Sequence, residues 1–374
     1  MNEIGLKKKL STKTYHKTGL FLVISLLGIN YLLYAFFDVE VLKTPIRLFV
    51  MLVLLVIYFY KEKVAFHHII ILGISAYLIL IQGTLSINIA FLLIAGMCLS
   101  HIDDDIIYKY MNIINMVTFI IIILALLIGI RESTISDVGG RNREDFGFYN
   151  VIAAGLVAYS IICIFMLSAK KVKITHIILG LALTVFVFLR TDSRTGFYGT
   201  VVFFVMWPIL ALVPSYIKRI VLPVACSLMF VSPFFWLLPS MQTHESNLEF
   251  SFRPWLFKKY VESISRRIFM FGGNKFEDVD SFYLVFLGNA GIIIYLGLLL
   301  MLIMSILKLI KNNENKKIAF IFSALTIAMT ESSLIRPEIM SMLAFWVMLF
   351  KCFQDIKTDR KVEVKRSKYI KYKT

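Results

Sequence analysis

Charge is what this sequence has least of. Only 17% of its 374 residues are charged, while 59% are hydrophobic. A soluble domain carries about a quarter charged residues, so a water-soluble globule is excluded. Acids are scarcer than bases: 24 Asp and Glu stand against 40 Lys and Arg, for a net charge of +16. In so apolar a chain that excess reads as basic loops meeting anionic lipid, and no nucleic acid is expected as a partner. Cysteine is rare. Cys98, Cys163, Cys226 and Cys352 lie in or at the ends of apolar runs, without disulfide or metal spacing, and read as small core hydrophobes. No phosphate-binding G-x-x-x-x-G-K-[ST] is present, which excludes a built-in ATP motor. Neither a metal nor a cofactor is expected. No internal repeat, low-complexity segment or soluble domain is visible. The first apolar run has no small-residue cleavage site, so no cleavable signal peptide is expected.

What the sequence has instead is long apolar runs. A helix needs about 20 mostly apolar residues to cross roughly 30 Å of hydrocarbon. In lipid every backbone polar group must be satisfied internally, so such runs mean helices. A β-barrel would show alternating segments of about ten residues, and these blocks are continuous. The runs predict an all-α polytopic membrane protein, one membrane domain over 1–374, with about twelve transmembrane helices. They fall at 19–37, 45–60, 64–82, 84–100, 113–130, 149–168, 174–190, 195–213, 217–238, 281–307, 318–333 and 338–354. A large extracytoplasmic loop is expected at 239–280, with a short surface helix over 252–271, and a basic cytoplasmic tail at 355–374.

Lysine and arginine set the orientation. With the N-terminus inside, 26 of the 40 basic residues fall on the cytoplasmic side and 14 outside. Both termini are therefore expected in the cytoplasm. The kind of base also segregates, with 23 Lys and 3 Arg inside against 4 Lys and 10 Arg outside. Lysine is the generic topological residue. Arginine is the residue of planar, bidentate recognition of phosphate or carboxylate, and topology alone disfavours it on the outer face.

Four outer segments carry the polar chemistry: 131–148, 190–196, 239–280 and 331–338. In RTDSRTG, Arg190, Asp192 and Arg194 sit at the ends of two spans, where charge is costly and usually faces a protein cavity. Asp192 can hold one arginine and leave the other for a ligand. In GGRNREDFGFYN, Arg141 and Arg143 flank Asn142 just before a span. The long loop places Arg253 beside Trp255, then Arg266 and Arg267, and Trp255, Phe257 and Tyr260 are either sugar-stacking or interfacial aromatics. Candidate general bases are the loop acids and His244. Among them Asp280 stands at the mouth of a span, where desolvation raises a carboxyl's pKa. HIDDDIIYKY at 101–110 has acids suited to a metal, but consecutive acids opening a helix also complement its dipole, and that is the reading preferred.

These segments resemble the Wzy-type polymerases of bacterial capsule, exopolysaccharide and O-antigen synthesis, and the related O-antigen ligases. RNREDFGFYN is similar to the family's R…FGF…N entry into a middle helix, though without the proline often found there. DSRTGFYGT resembles its S-R-[GT]-[GA] segment, and RPWLFKKYVESISRRIFMFGGNKF resembles the R-x-x-x-W…G-x-G element of its large outer loop. DSFYLVFLGNAGIII, which contains Tyr283, resembles the start of the following helix, with Asp280 standing where the ligases carry a histidine.

The resemblance implies a metal-independent glycosyltransferase of GT-C-like helical fold in the bacterial cytoplasmic membrane. Its substrate would be oligosaccharide repeat units linked to undecaprenyl diphosphate, joined at the outer leaflet. Expected companions are membrane lipids and the flippase and chain-length regulator of the same pathway. Arg194 and Arg253 are expected on the diphosphate. Arg141, Arg143, Arg190, Arg266, Arg267, Trp255 and Tyr283 are expected to bind substrate, and Asp280 to serve as base. The rival functions are an O-antigen-type ligase, which a histidine at 280 would favour, and a lipid-linked oligosaccharide flippase or transporter. The latter calls for ionisable groups near the bilayer midplane, where this sequence is almost wholly apolar.

Overall fold

The computed structural model describes residues 18–61, 66–81, 84–137, 142–148, 151–235, 253–274 and 279–353. The first nine apolar helices are α1 Thr18–Phe36, α2 Lys43–Lys61, α3 Phe66–Leu80, α4 Thr84–Leu99, α5 Asp104–Leu127, α6 Val151–Ser168, α7 Ile174–Thr191, α8 Arg194–Leu212 and α9 Ser215–Phe235. Two short helices follow, α10 Arg253–Ser263 and α11 Arg266–Phe271. Then come α12 Phe282–Lys311, α13 Asn315–Thr330, a 3-10 turn over Ser332–Ile335, and α14 Met340–Phe353. Every apolar run of the sequence coincides with a helix. Seven of these helices, α1, α2, α5, α7, α8, α9 and α12, are long and apolar enough to cross a membrane.

The apolar faces divide the helices into two kinds. On α2, α7 and α9, only 17–22% of the most apolar window is buried, and large side chains such as Leu52, Leu179, Phe186 and Ile220 stand exposed. In water so much bare apolar surface would aggregate, while in hydrocarbon it is solvated. The shorter helices α4, α13 and α14 are instead buried along nearly their whole length. Shielded from lipid by the ring around them, they do not need to match the hydrocarbon thickness. Their ends are joined by polar links inside the bundle, such as 331–339.

One expected span is two helices. Gly291 in α12 has φ 79° and ψ 165°, outside any helical region. A straight helix rises about 1.5 Å per residue, so Tyr283 and Tyr295 would lie roughly 18 Å apart along it. Both rings instead contact Phe230, at 4.9 and 5.1 Å between centroids, so the chain bends sharply at Gly291. The bend deprives the carbonyls of Gly288 and Asn289 of their helical donors. Asn274 N–H and Gly273 N–H replace them, at 2.9 and 3.2 Å, which answers the rule that buried backbone acceptors must be paired. Gly272 and Gly273 reach this position with φ of 80° and 92°. A Cβ on Gly272 would collide with the Asn289 carbonyl, and one on Gly291 with the Met270 carbonyl. Gly272→Ala should therefore destabilise the protein by about 1–3 kcal/mol through overpacking and left-handed backbone cost, read as a lowered melting midpoint in detergent.

The surface helix expected over 252–271 is broken at Ile264–Ser265. There the Ser265 hydroxyl accepts from Ile268 N–H at 3.3 Å and caps α11. Segment 131–148 is not wholly irregular either. Strands β1 Ile135–Asp137 and β2 Asn142–Glu144 pair antiparallel, with Ser136 opposite Arg143.

Contacts sort the loops into two groups. At one end Asp104 receives Lys317 and Lys351, each at 2.7 Å, Lys170 pairs with Asp105 at 3.3 Å, and Lys316 donates to the Met166 and Ala169 carbonyls. The acids of IDDD thus hold lysines as well as open α5. Among the described residues no group of three or more metal-binding side chains exists. The other end joins the α1–α2 link, the β-hairpin, the α7–α8 turn and the 331–339 link, and it is the arginine end. The tail 355–374 lies outside the described residues.

Candidate functional site: an arginine-rich end of the bundle

The α7–α8 turn is fixed from below. A Cβ on Gly196 would overlap the backbone of Gly155, and one on Gly155 would strike Ser193. Two glycines thus let α8 lie against α6 nearly backbone to backbone. Asp192 caps α7 in the left-handed region at φ 46°, with its N–H bonded to Phe188 O at 2.8 Å. Aspartate is among the few residues that accept this conformation without great cost. Ser193 N–H bonds Thr191 Oγ1 at 3.1 Å. Arg194 therefore leaves a rigid turn, with its side chain 45% exposed.

The β-hairpin brings the second arginine segment to the same place. Asp145 ties the hairpin down by accepting from Thr134, through both its N–H and its hydroxyl, and from Gly147 N–H. Glu144 accepts from Arg190 Nε at 2.5 Å. Asp192 faces two guanidiniums, Arg143 at 3.9 Å and Arg194 at 3.7 Å. Three arginines from two distant segments thus meet two carboxylates, and Asp192 binds neither of its arginines closely. On the far side Thr195 donates to Glu331 at 3.3 Å, a carboxylate only 5% exposed. A guanidinium as exposed as that of Arg194, at 45%, is suited to hold phosphate or carboxylate oxygens.

A second polar group was not legible as a site. Arg47, in the second turn of α2, is 1% exposed and pairs with Glu338, which is 2% exposed. Asn30 donates to the same carboxylate at 3.2 Å, and Arg47 also donates to Asn88. Lys43 lies 4.3 Å over the Tyr34 ring, and Arg336 hydrogen-bonds the Tyr34 hydroxyl. Burial works against the Arg336 charge, but Tyr34, Glu331 and Glu338 outweigh it and hold its pKa above the ordinary arginine value. The signal available was a charged residue within an apolar run, Arg47 in TPIRLFV, together with the RPE of 336–338.

The other described site residues sit on other elements, α11 and the start of α12. Arg266 and Arg267 stand exposed on α11, next to the broken helix α12. Asp280 is half-buried and leads into Ser281, which has no exposure at all. Tyr283 is fully buried and donates to the Leu325 carbonyl at 2.9 Å. Phe257 and Tyr260 pack inward, at 2% and 0% exposure, and join the main hydrophobic core, Tyr260 against Gly288 of α12, instead of offering faces to a sugar. Arg253 and Trp255 open α10, and their side chains lie outside the described residues, as do Arg141 and His244. Mid-helix positions are less apolar than the runs suggested. Asn115 and Ser160 are buried and bonded to each other at 3.2 Å, with Thr118 buried nearby. No protein-family model, no curated protein and no solved structure matches the chain.

Proposed function

We propose that the chain is a membrane polysaccharide polymerase that joins undecaprenyl-diphosphate-linked repeat units at the outer leaflet. The observation that carries this reading is the convergence of Arg143, Arg190 and Arg194 on Glu144 and Asp192 at one end of an apolar bundle. A lipid diphosphate would present its charge at that boundary, and lysines held at the opposite end fit a cytoplasmic side.

In the proposed reaction the acceptor hydroxyl oxygen bonds to the anomeric carbon of the donor, while the bond from that carbon to the diphosphate oxygen breaks. The electron pair leaves with the lipid diphosphate. Arg194 and Arg143, with Arg253 from the long loop, stabilise the negative charge that grows there, without a metal. Asp280 takes the acceptor's proton. Arg190, held by Glu144, braces the hairpin against the turn. Both termini lie in the cytoplasm on this reading, and the chain crosses the membrane twelve times.

Deletion in the native host, followed by sizing of the surface glycan, tests the proposal. Loss of polymer with single units still displayed is the expected result. The buried Asn115–Ser160 pair favours a second reading, transport of the lipid-linked unit, since mid-membrane polar groups mark conduction paths. In that case single units would accumulate on the cytoplasmic leaflet. Polymer of normal length in the deletion strain would overturn both readings.

A further inference from the structure

Lys43 and Arg47 stand in the first two turns of α2, Arg336 lies in the 331–339 link, and the three meet at Tyr34. Lys43 covers its ring, Arg336 bonds its hydroxyl, and Arg47 lies close enough to act on that hydroxyl electrostatically. Three cations are answered from inside by Glu338 and, beyond Arg336, by Glu331, while Glu40 acts on Lys43 only from an exposed loop. Glu331 is already engaged by Thr195.

Arg47 Nη2 and the Tyr31 hydroxyl are buried with no hydrogen-bond partner among the described residues. A cavity of about 20 Å³ between Tyr31, Asn115, Thr118, Ser160 and Glu338 has room for a single water. The Tyr31 hydroxyl and the unpartnered Glu338 Oε2 belong to residues that line this cavity. Arg47 Nη2 remains a buried donor without a hydrogen-bond partner, in a place where an unmet polar group is expensive. Lys43, Tyr34 and Arg336 are each only partly buried.

We propose that Lys43, Arg336 and the Tyr34 hydroxyl form a binding site for an anionic oxygen group, a phosphate or a carboxylate, with the Arg47–Glu338 pair as its floor. The site is separate from the Arg143–Asp192–Arg194 cluster and does not depend on which membrane reaction the chain performs. The two sources of such a group are a lipid diphosphate and an acidic sugar.

The test uses the full chain in neutral detergent, carrying Arg143→Gln and Arg194→Gln to silence the other cluster. Melting midpoints are followed against inorganic pyrophosphate, farnesyl diphosphate, farnesol and glucuronate. A saturable rise with farnesyl diphosphate or pyrophosphate, absent with farnesol, assigns the lipid source. A rise with glucuronate alone assigns the sugar. Adding Lys43→Gln should weaken half-saturation on the order of tenfold, as expected for one charge-assisted contact, and Arg336→Gln should act likewise. Lys43 is half-exposed and keeps the test decisive even where Arg336→Gln fails to fold. No rise with any of the anions, or the same half-saturation with and without Lys43→Gln, overturns the proposal.

Discussion

Arg47→Ala should destabilise the folded protein by about 3–5 kcal/mol, because it strands the Glu338 carboxylate in the interior. That is a large share of the roughly 5–15 kcal/mol by which folded domains are stable. Both side chains have at most 2% exposure, and Asn30 and Asn88 are already committed to them. Removing both charges is a different matter: Arg47→Met combined with Glu338→Leu deletes the pair without orphaning either member, and such replacements are often near neutral. Unfolding titrations of the single and double variants in detergent check this. Comparable losses in the single and double variants would show that the site needs its charge and not merely its pairing.

Arg194→Ala should leave the fold intact and remove polymer. The side chain is 45% exposed, and its 3.7 Å contact with Asp192 is long, so the ion pair contributes little to stability. Its proposed work is on the leaving diphosphate, where loss of one fixed donor typically lowers turnover about 10²–10³-fold. Glycan sizing should show single lipid-linked units in place of long chains, with the variant present in the membrane at wild-type level. Arg194→Lys should recover only part of the activity, since it restores the charge but not the two-pronged donor geometry. Polymer of normal length from Arg194→Ala would remove this residue from the mechanism.

Helix positions were legible because a long apolar run has few other ways to satisfy its backbone in lipid. Their details were legible only where the signal was local. The acids before the run at 113–130 read as opening a helix, and α5 does start at Asp104, with Ile107, Tyr108 and Met111 packed inward. The break at Gly291 left no mark beyond one glycine in an apolar run, since its cause is a distant segment, 272–274, supplying the missing donors. The N-capping serine of α11, Ser265, was passed over because 252–271 read as one amphipathic helix. At the arginine end, sequence grouped Arg190, Asp192 and Arg194, which share one turn. It did not foresee that Glu144 would take Arg190, because that contact joins residues 46 positions apart. Arg47 was hidden differently: counted among outer loop charges, it lies inside the bundle, and only its partner at 338 makes that tolerable.

The bend at Gly291 also bears on how the chain is put into the membrane. Insertion machinery sorts segments by apolarity as they emerge, and residues 282–311 present one unbroken apolar stretch of 30. The donors that hold the bend, Gly273 and Asn274, sit before this stretch, and their acceptors Gly288 and Asn289 lie within it. Phe230, which receives both tyrosines, belongs to the preceding span. All the partners needed for the bend have therefore left the ribosome before residues 292–311 are complete. The bend can be set during synthesis, ahead of α13 and α14, which then close over a finished segment.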